Sequence, residues 1–166
     1  MNETFKIKEI NFDFRNKYKY AEETESLKRV LPILIPFLEN YLSKRSQINE
    51  MKEKLRTSEN WVHFAITDPK REDLNTHFGS VAYDSGRKQI IIVLRIVLDN
   101  NNCPLMFELM KTMVHEIFHL FIEGEKEVRE NVEEFLNSFN FKERKKILGI
   151  LIGEEKVNNL LKDTAK

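Results

Sequence analysis

The sequence has a single cysteine, Cys103, so no internal disulfide can form, and a reducing, cytoplasmic setting is the expectation. It has no surplus of either charge. Lys plus Arg and Asp plus Glu number 27 each, which removes the electrostatic basis for nonspecific binding to nucleic acid or to an anionic membrane. Long hydrophobic runs are missing too. The two most apolar stretches are "VLPILIPFL" (30–38) and "IIIVLRIVL" (90–98), and the second contains Arg95. Both fall well short of the roughly 20 residues a membrane-spanning helix needs. The opening "MNETFKIKEINFDF" lacks the apolar centre of a secretory signal. There is no internal repeat, low-complexity tract or linker. What remains is a chain of 166 residues with 41% apolar content, enough for one domain with its own core.

The residues that are present alternate between strand and helix periods. "TFKIKEINFDF" reads apolar-polar with one slip at Lys8 and Glu9, which predicts a strand over residues 4–14 with a bulge. From Ala21 to about Leu55 the apolar spacing is helical, with Leu38, Leu42 and Ile48 near the stripe and Pro32 and Pro36 placed to start or kink a helix. One interrupted helix or two should result. "NWVHFAI" (60–66) and "HFGSVAYD" (77–84) read as strands, and Asp84-Ser85-Gly86 is turn chemistry leading into "QIIIVL", which predicts a hairpin. Pro104 sits where a first helical residue would, with Asn101 or Asn102 as cap, and a helix is expected to run to about Glu123. Gly124 offers a stop. Val128, Val132, Phe135, Leu136 and Phe139 then repeat at helical spacing, and residues 141–163 are helical with breaks expected at Gly149 and Gly153.

The chemistry lies in "HEIFH", residues 115–119. On a helix His115 and His119 share a face and can point their imidazoles at one metal ion, and His-Glu-x-x-His is the zinc arrangement of that kind. Glu116 lies about 100° round the helix, off the ligand face but within reach of a water on the metal. Zinc lowers the pKa of such a water towards 7, and Glu116 would act as the general base for attack on a polarised carbonyl. The bland alternative is a solvated, Glu-rich helix whose histidines pack or cap.

Residues 78–139 resemble the gluzincin metallopeptidases and, among them, the small ImmA/IrrE-type metallopeptidases. The matching residues are "FGSVAYDSGRKQIII" followed by "HEIFHL". The resemblance implies a single zincin-like α+β domain with a mixed or antiparallel sheet of about three to four strands against the active-site helix and further helices. Its core would be residues 60–139, with an N-terminal strand and helices over 4–55 and C-terminal helices over 141–163. The resemblance also implies a Zn2+ cofactor, a ligand set of two histidines and one glutamate, and cleavage of a regulatory protein such as a repressor.

The third ligand would come from the helix after Gly124, where the family's Glu-Ala-Asn-x-Phe-Ala is not reproduced. "EVRENVEEF" offers Glu127, with Asn131 four residues on, or Glu130 followed directly by Asn131. From the centre of the apolar stripe Glu130 projects about 170°, Glu127 about 110° and Asn131 about 70°, which favours Glu127 as ligand with Asn131 supporting it. Glu130 is the alternative, and Glu123 a third candidate if the first helix runs on unbroken. A metzincin-type extension is excluded because Ile122 and Glu125 stand where Gly and His are required.

Tyr83 and His77 are possible oxyanion or substrate contacts, and His63 could serve similarly, though for the histidines a structural role on or beside a strand is the simpler reading. "KERKK" (142–146) is a solvated helix face, and Cys103 has no adjacent histidine to activate it. The function expected is therefore zinc-dependent hydrolysis of a peptide bond in a protein or peptide substrate. The alternative is a non-catalytic regulatory or partner-binding protein on the same scaffold.

Overall fold

The computed structural model describes residues 3–44, 55, 58–68 and 79–164. In chain order the elements are β1 (Phe5–Ile7), β2 (Ile10–Phe14), α1 (Ala21–Ser43), β3 (Trp61–Thr67), β4 (Gly79–Asp84), β5 (Gln89–Arg95), α2 (Met106–Phe118), α3 (Glu125–Asn137), α4 (Phe141–Ile152) and α5 (Glu154–Thr164). The strands form one mixed sheet in the order β1-β2-β3-β5-β4, five strands rather than the three or four expected. β2, β3 and β5 run parallel, and each edge of the sheet is closed by an antiparallel strand. No helix among the described residues is long and apolar enough to cross a membrane.

The first expected strand is instead a hairpin. Lys8 adopts a left-handed conformation (φ 52°), and the chain reverses through Lys8 and Glu9 so that Ile7 pairs with Ile10. The reversal keeps Phe5, Ile7, Ile10, Phe12 and Phe14 all buried.

α1 passes through Pro32 and Pro36 without interruption. Both prolines are exposed, so the carbonyls of Lys28 and Pro32 that lose their helical partners lie on the watered side. Leu27, Leu31, Leu34, Leu38 and Leu42 form the opposite stripe and are fully buried. Helix expected beyond Ser43, including Ile48, lies largely outside the described residues.

The β4–β5 hairpin forms as expected, its turn held by Asp84 Oδ1, which accepts the N–H groups of Gly86 (3.0 Å) and Arg87 (3.2 Å). Val62, Phe64 and Ile66 of β3 and Ile90, Ile92 and Leu94 of β5 point to one face and join the buried stripes of α1 and α2 in a single core. Phe64 stacks on Phe12 with ring centroids 5.3 Å apart, which couples neighbouring parallel strands.

Three helix boundaries differ from expectation. α2 begins at Met106, not Pro104, because Pro104 bridges to Leu98 and Asp99 Oδ1 accepts the N–H groups of Asn101 and Cys103, which occupies those residues in a loop. α2 also ends at Phe118, with His119 as its cap, rather than near Glu123. Gly149 is inside α4, and only Gly153 (φ 93°) breaks the tail. Asn140 starts α4 with a capping box, its side chain accepting the N–H of Glu143 while the Glu143 carboxylate accepts the N–H of Asn140, each at 2.8 Å.

Candidate metal centre

α2 forms because Leu109, Met110, Met113, Val114, Ile117 and Phe118 recur at helical spacing, and all six are buried against the sheet and neighbouring helices. That choice of buried face turns His115 and His119 to the rim, where both are half-buried. Their Nε2 atoms are 3.0 Å apart. Beyond Phe118 the chain tightens. Leu120 N–H bonds to Ile117 O and Phe121 N–H to Phe118 O, while Leu120, Phe121 and Ile122 all tuck into the core. Gly124 then reverses the chain at φ 89°, a conformation costly for any residue with a Cβ, and α3 begins at Glu125.

This reversal brings a residue that sequence reasoning passed over. Glu125 Oε1 is 3.0 Å from His115 Nε2, and Glu125 Oε2 is 3.0 Å from His119 Nε2. The three side chains face one point. Arg129, one turn on, donates from Nε to Glu125 Oε1 at 3.2 Å and steadies the carboxylate.

Glu127 and Glu130 are not brought there, and both are exposed. The Glu127 backbone carbonyl accepts Asn131 Nδ2 at 2.7 Å, and the Glu130 carboxylate lies 3.9 Å from Lys126 Nζ. Asn131 faces α1, where its Oδ1 accepts the Tyr41 hydroxyl at 2.7 Å. The apolar stripe ranks residues in the middle of a helix. A residue in the first turn escapes it, because helical side chains lean towards the N-terminus and Glu125 reaches back across the turn to α2. Its place directly after Gly124 was the available signal. Glu123, in the turn, is exposed.

Among the described residues Glu116 is the one buried carboxylate, at 5% exposure. Its ligand atom and those of His115 and His119 lie within 4.8 Å of one another. Burial, and after it the charge of Glu125, push its carboxyl from 4.5 up to about 7. Burial likewise pulls the His115 imidazole below its ordinary value, favouring the neutral form that binds metal. At Glu125 burial works against ionisation, but His115, His119 and Arg129 outweigh it and hold the carboxyl low.

Two imidazole nitrogens and a carboxylate spaced at 3.0 Å suit a transition metal, since ligand atoms about 2.0–2.1 Å from a tetrahedral ion stand roughly 3.3 Å apart. The donors need move only tenths of an ångström.

Of the other expected contacts, Tyr83 is on the core side of β4, in the same alternating set as Gly79 but about 13 Å along the strand from it, and has no hydrogen bond to the cluster. His77 lies outside the described residues. His63 is buried on β3 with Nδ1 against Asp13 Oδ1 and its ring stacked on Trp61, a structural placement on the sheet face away from α2. Cys103 is a free, exposed thiol. No protein-family model, no curated protein and no solved structure matches the chain.

Proposed function

We propose that this protein is a zinc-dependent peptidase of zincin-like fold, in which His115, His119 and Glu125 hold the metal and Glu116 is the general base for hydrolysis of a peptide bond in a protein substrate. The observation that carries the reading is the convergence of the two imidazoles and the Glu125 carboxylate at 3.0 Å beside a buried glutamate. The two nitrogen donors favour zinc over calcium or magnesium, which prefer all-oxygen sets.

Zinc bound there supplies a Lewis acid and lowers the pKa of water towards 7. Glu116, buried beside the two histidines, would take a proton from the attacking water and return it to the leaving amine. Arg129 keeps Glu125 turned towards the histidines. β4 is the edge strand beside α2, and an extended peptide added along it would run past residue 79, against which Glu116 packs. The exposed thiol of Cys103 agrees with a reducing, cytoplasmic setting.

Elemental analysis of protein purified without added metal, followed by digestion of a proteome-derived peptide library, tests the reading. Stoichiometric zinc that is lost in His119→Ala and Glu125→Ala is expected, with cleavage abolished in Glu116→Gln. Zinc-loaded protein that cuts nothing while a control zinc peptidase cuts the same library would overturn it. A partner that binds Glu116→Gln as tightly as the unmutated protein, without being cut, would point to a non-catalytic role.

A further inference from the structure

Gly79 opens the edge strand, is buried, and pairs with Leu94 of β5. An added Cβ there would stand 2.7 Å from Glu116 Cγ, 2.7 Å from Thr112 Cγ2 and 2.8 Å from Glu116 Oε1. These separations lie well inside van der Waals contact, and two of the three atoms are inner or branched atoms with no free end to swing away. Glu116 is itself 5% exposed, so it has little room to retreat. The Thr112 hydroxyl donates to Glu108 O at 2.9 Å, which fixes the threonine rotamer and turns its methyl towards the strand. One turn of α2 thus presents Thr112 and Glu116 together to a gap left by a missing side chain.

We propose that Gly79 is a positioning residue. By leaving that gap it lets the edge strand close directly on Glu116 and, together with the Thr112 methyl, holds the carboxylate in one rotamer in register with the strand along which substrate would lie. The inference rests on the peptidase reading for the meaning of that rotamer, but the contact itself does not. Gly79 is needed for what it lacks, since alanine, the smallest side chain, already overlaps the general base.

Two measurements test this. The first is thermal unfolding of the metal-free full chain, made in a Thr112→Ser background so that only the Glu116 contact remains while the hydroxyl bond to Glu108 is kept. There Gly79→Ala should lower the Tm by about 5 °C, whereas in Thr112→Ser with Glu116→Ala the same change should cost under about 1 °C. Should Gly79→Ala fail to fold alone, the triple variant should still fold. An equal loss with and without the Glu116 side chain would overturn the contact.

The second measurement is the visible absorption of the cobalt-loaded protein. Gly79→Ala should bind cobalt in the same stoichiometry but shift the d–d bands, and should add no further shift in Glu116→Gln. Unchanged bands beside a coupled Tm loss would reduce Gly79 to packing and overturn its positioning role. Failure of the unmutated protein to take up cobalt or zinc would overturn the peptidase reading and with it that role, a result distinct from failure of the unfolding cycle.

Discussion

Glu125 Oε2 lies 3.0 Å from His119 Nε2, although a buried three-residue turn and the reversal at Gly124 separate the two residues along the chain. Neither helix places this contact alone. If it marks the third ligand, Glu125→Ala should weaken zinc binding by at least about 100-fold, comparable to or beyond the loss of an outer-shell partner, while Glu127→Ala and Glu130→Ala bind zinc as the unmutated chain does. Competition with a chelating indicator would measure it. Weakening in Glu127→Ala alone would return the ligand to the middle of α3.

The turn that delivers Glu125 depends on Gly124 at φ 89°. Gly124→Ala should cost about 1–2 kcal/mol from the left-handed strain, seen as a Tm lower by about 2–8 °C. It should also weaken zinc binding, because the strain is relieved by moving the first turn of α3. Stability lost with zinc affinity intact would show that Glu125 keeps its place by other contacts.

Burial of Glu116 gives the metal-free protein a pH dependence of known sign. Folding raises this carboxyl from 4.5 to about 7, so the folded state holds the proton more tightly than the unfolded chain. The resulting stabilisation is complete below about pH 4.5 and is lost as pH rises through about 7, on the order of 3 kcal/mol in all. His115, held low, works the other way below about pH 6.5, so the Glu116 contribution is read as the difference in urea midpoint between chelator-treated protein and Glu116→Gln, a difference that should shrink between pH 5 and 8. An equally steep profile in Glu116→Gln would assign the proton to another group. On the peptidase reading proposed above, the same substitution in zinc-loaded protein should lower kcat by about 100- to 10,000-fold, as for loss of a general base.

Tyr41 fastens α3 to α1. Its hydroxyl donates to Asn131 Oδ1 at 2.7 Å, and its ring meets Phe118 and Phe135 edge-on at 5.5 and 5.7 Å. Tyr41→Phe keeps the ring contacts and removes the hydroxyl, so a loss of about 1 kcal/mol and a Tm lower by about 2–4 °C are expected, with zinc stoichiometry unchanged. Tyr41→Ala should cost several-fold more. Equal losses in the two variants would mean that the rings contribute nothing.

The site is half legible in the chain and half not. His115, Glu116 and His119 can be read directly, because a helix repeats every 3.6 residues and four positions return a side chain to the same face whatever surrounds it. The buried stripe of α2, the β4–β5 hairpin with Asp84 at its turn and the helical run from Val128 follow from local periods in the same way. Local periods decide less where the chain reverses. The slip at Lys8 and Glu9 fits a bulge or a turn equally well until Ile7 and Ile10 both have a core to enter.

Sequence alone therefore determined which residues can carry the chemistry: a neutral chain, one apolar core's worth of side chains, and a His-Glu-x-x-His helix face. Tertiary structure alone decided which carboxylate meets the histidines and what stands behind Glu116. Glu125 is selected by the path through Gly124, and Gly79 by the pairing of β4 with β5 that sets the strand against α2. Both are relations between segments distant along the helix or sheet direction, fixed by burial and chain reversal, and neither leaves a period in the sequence to be read.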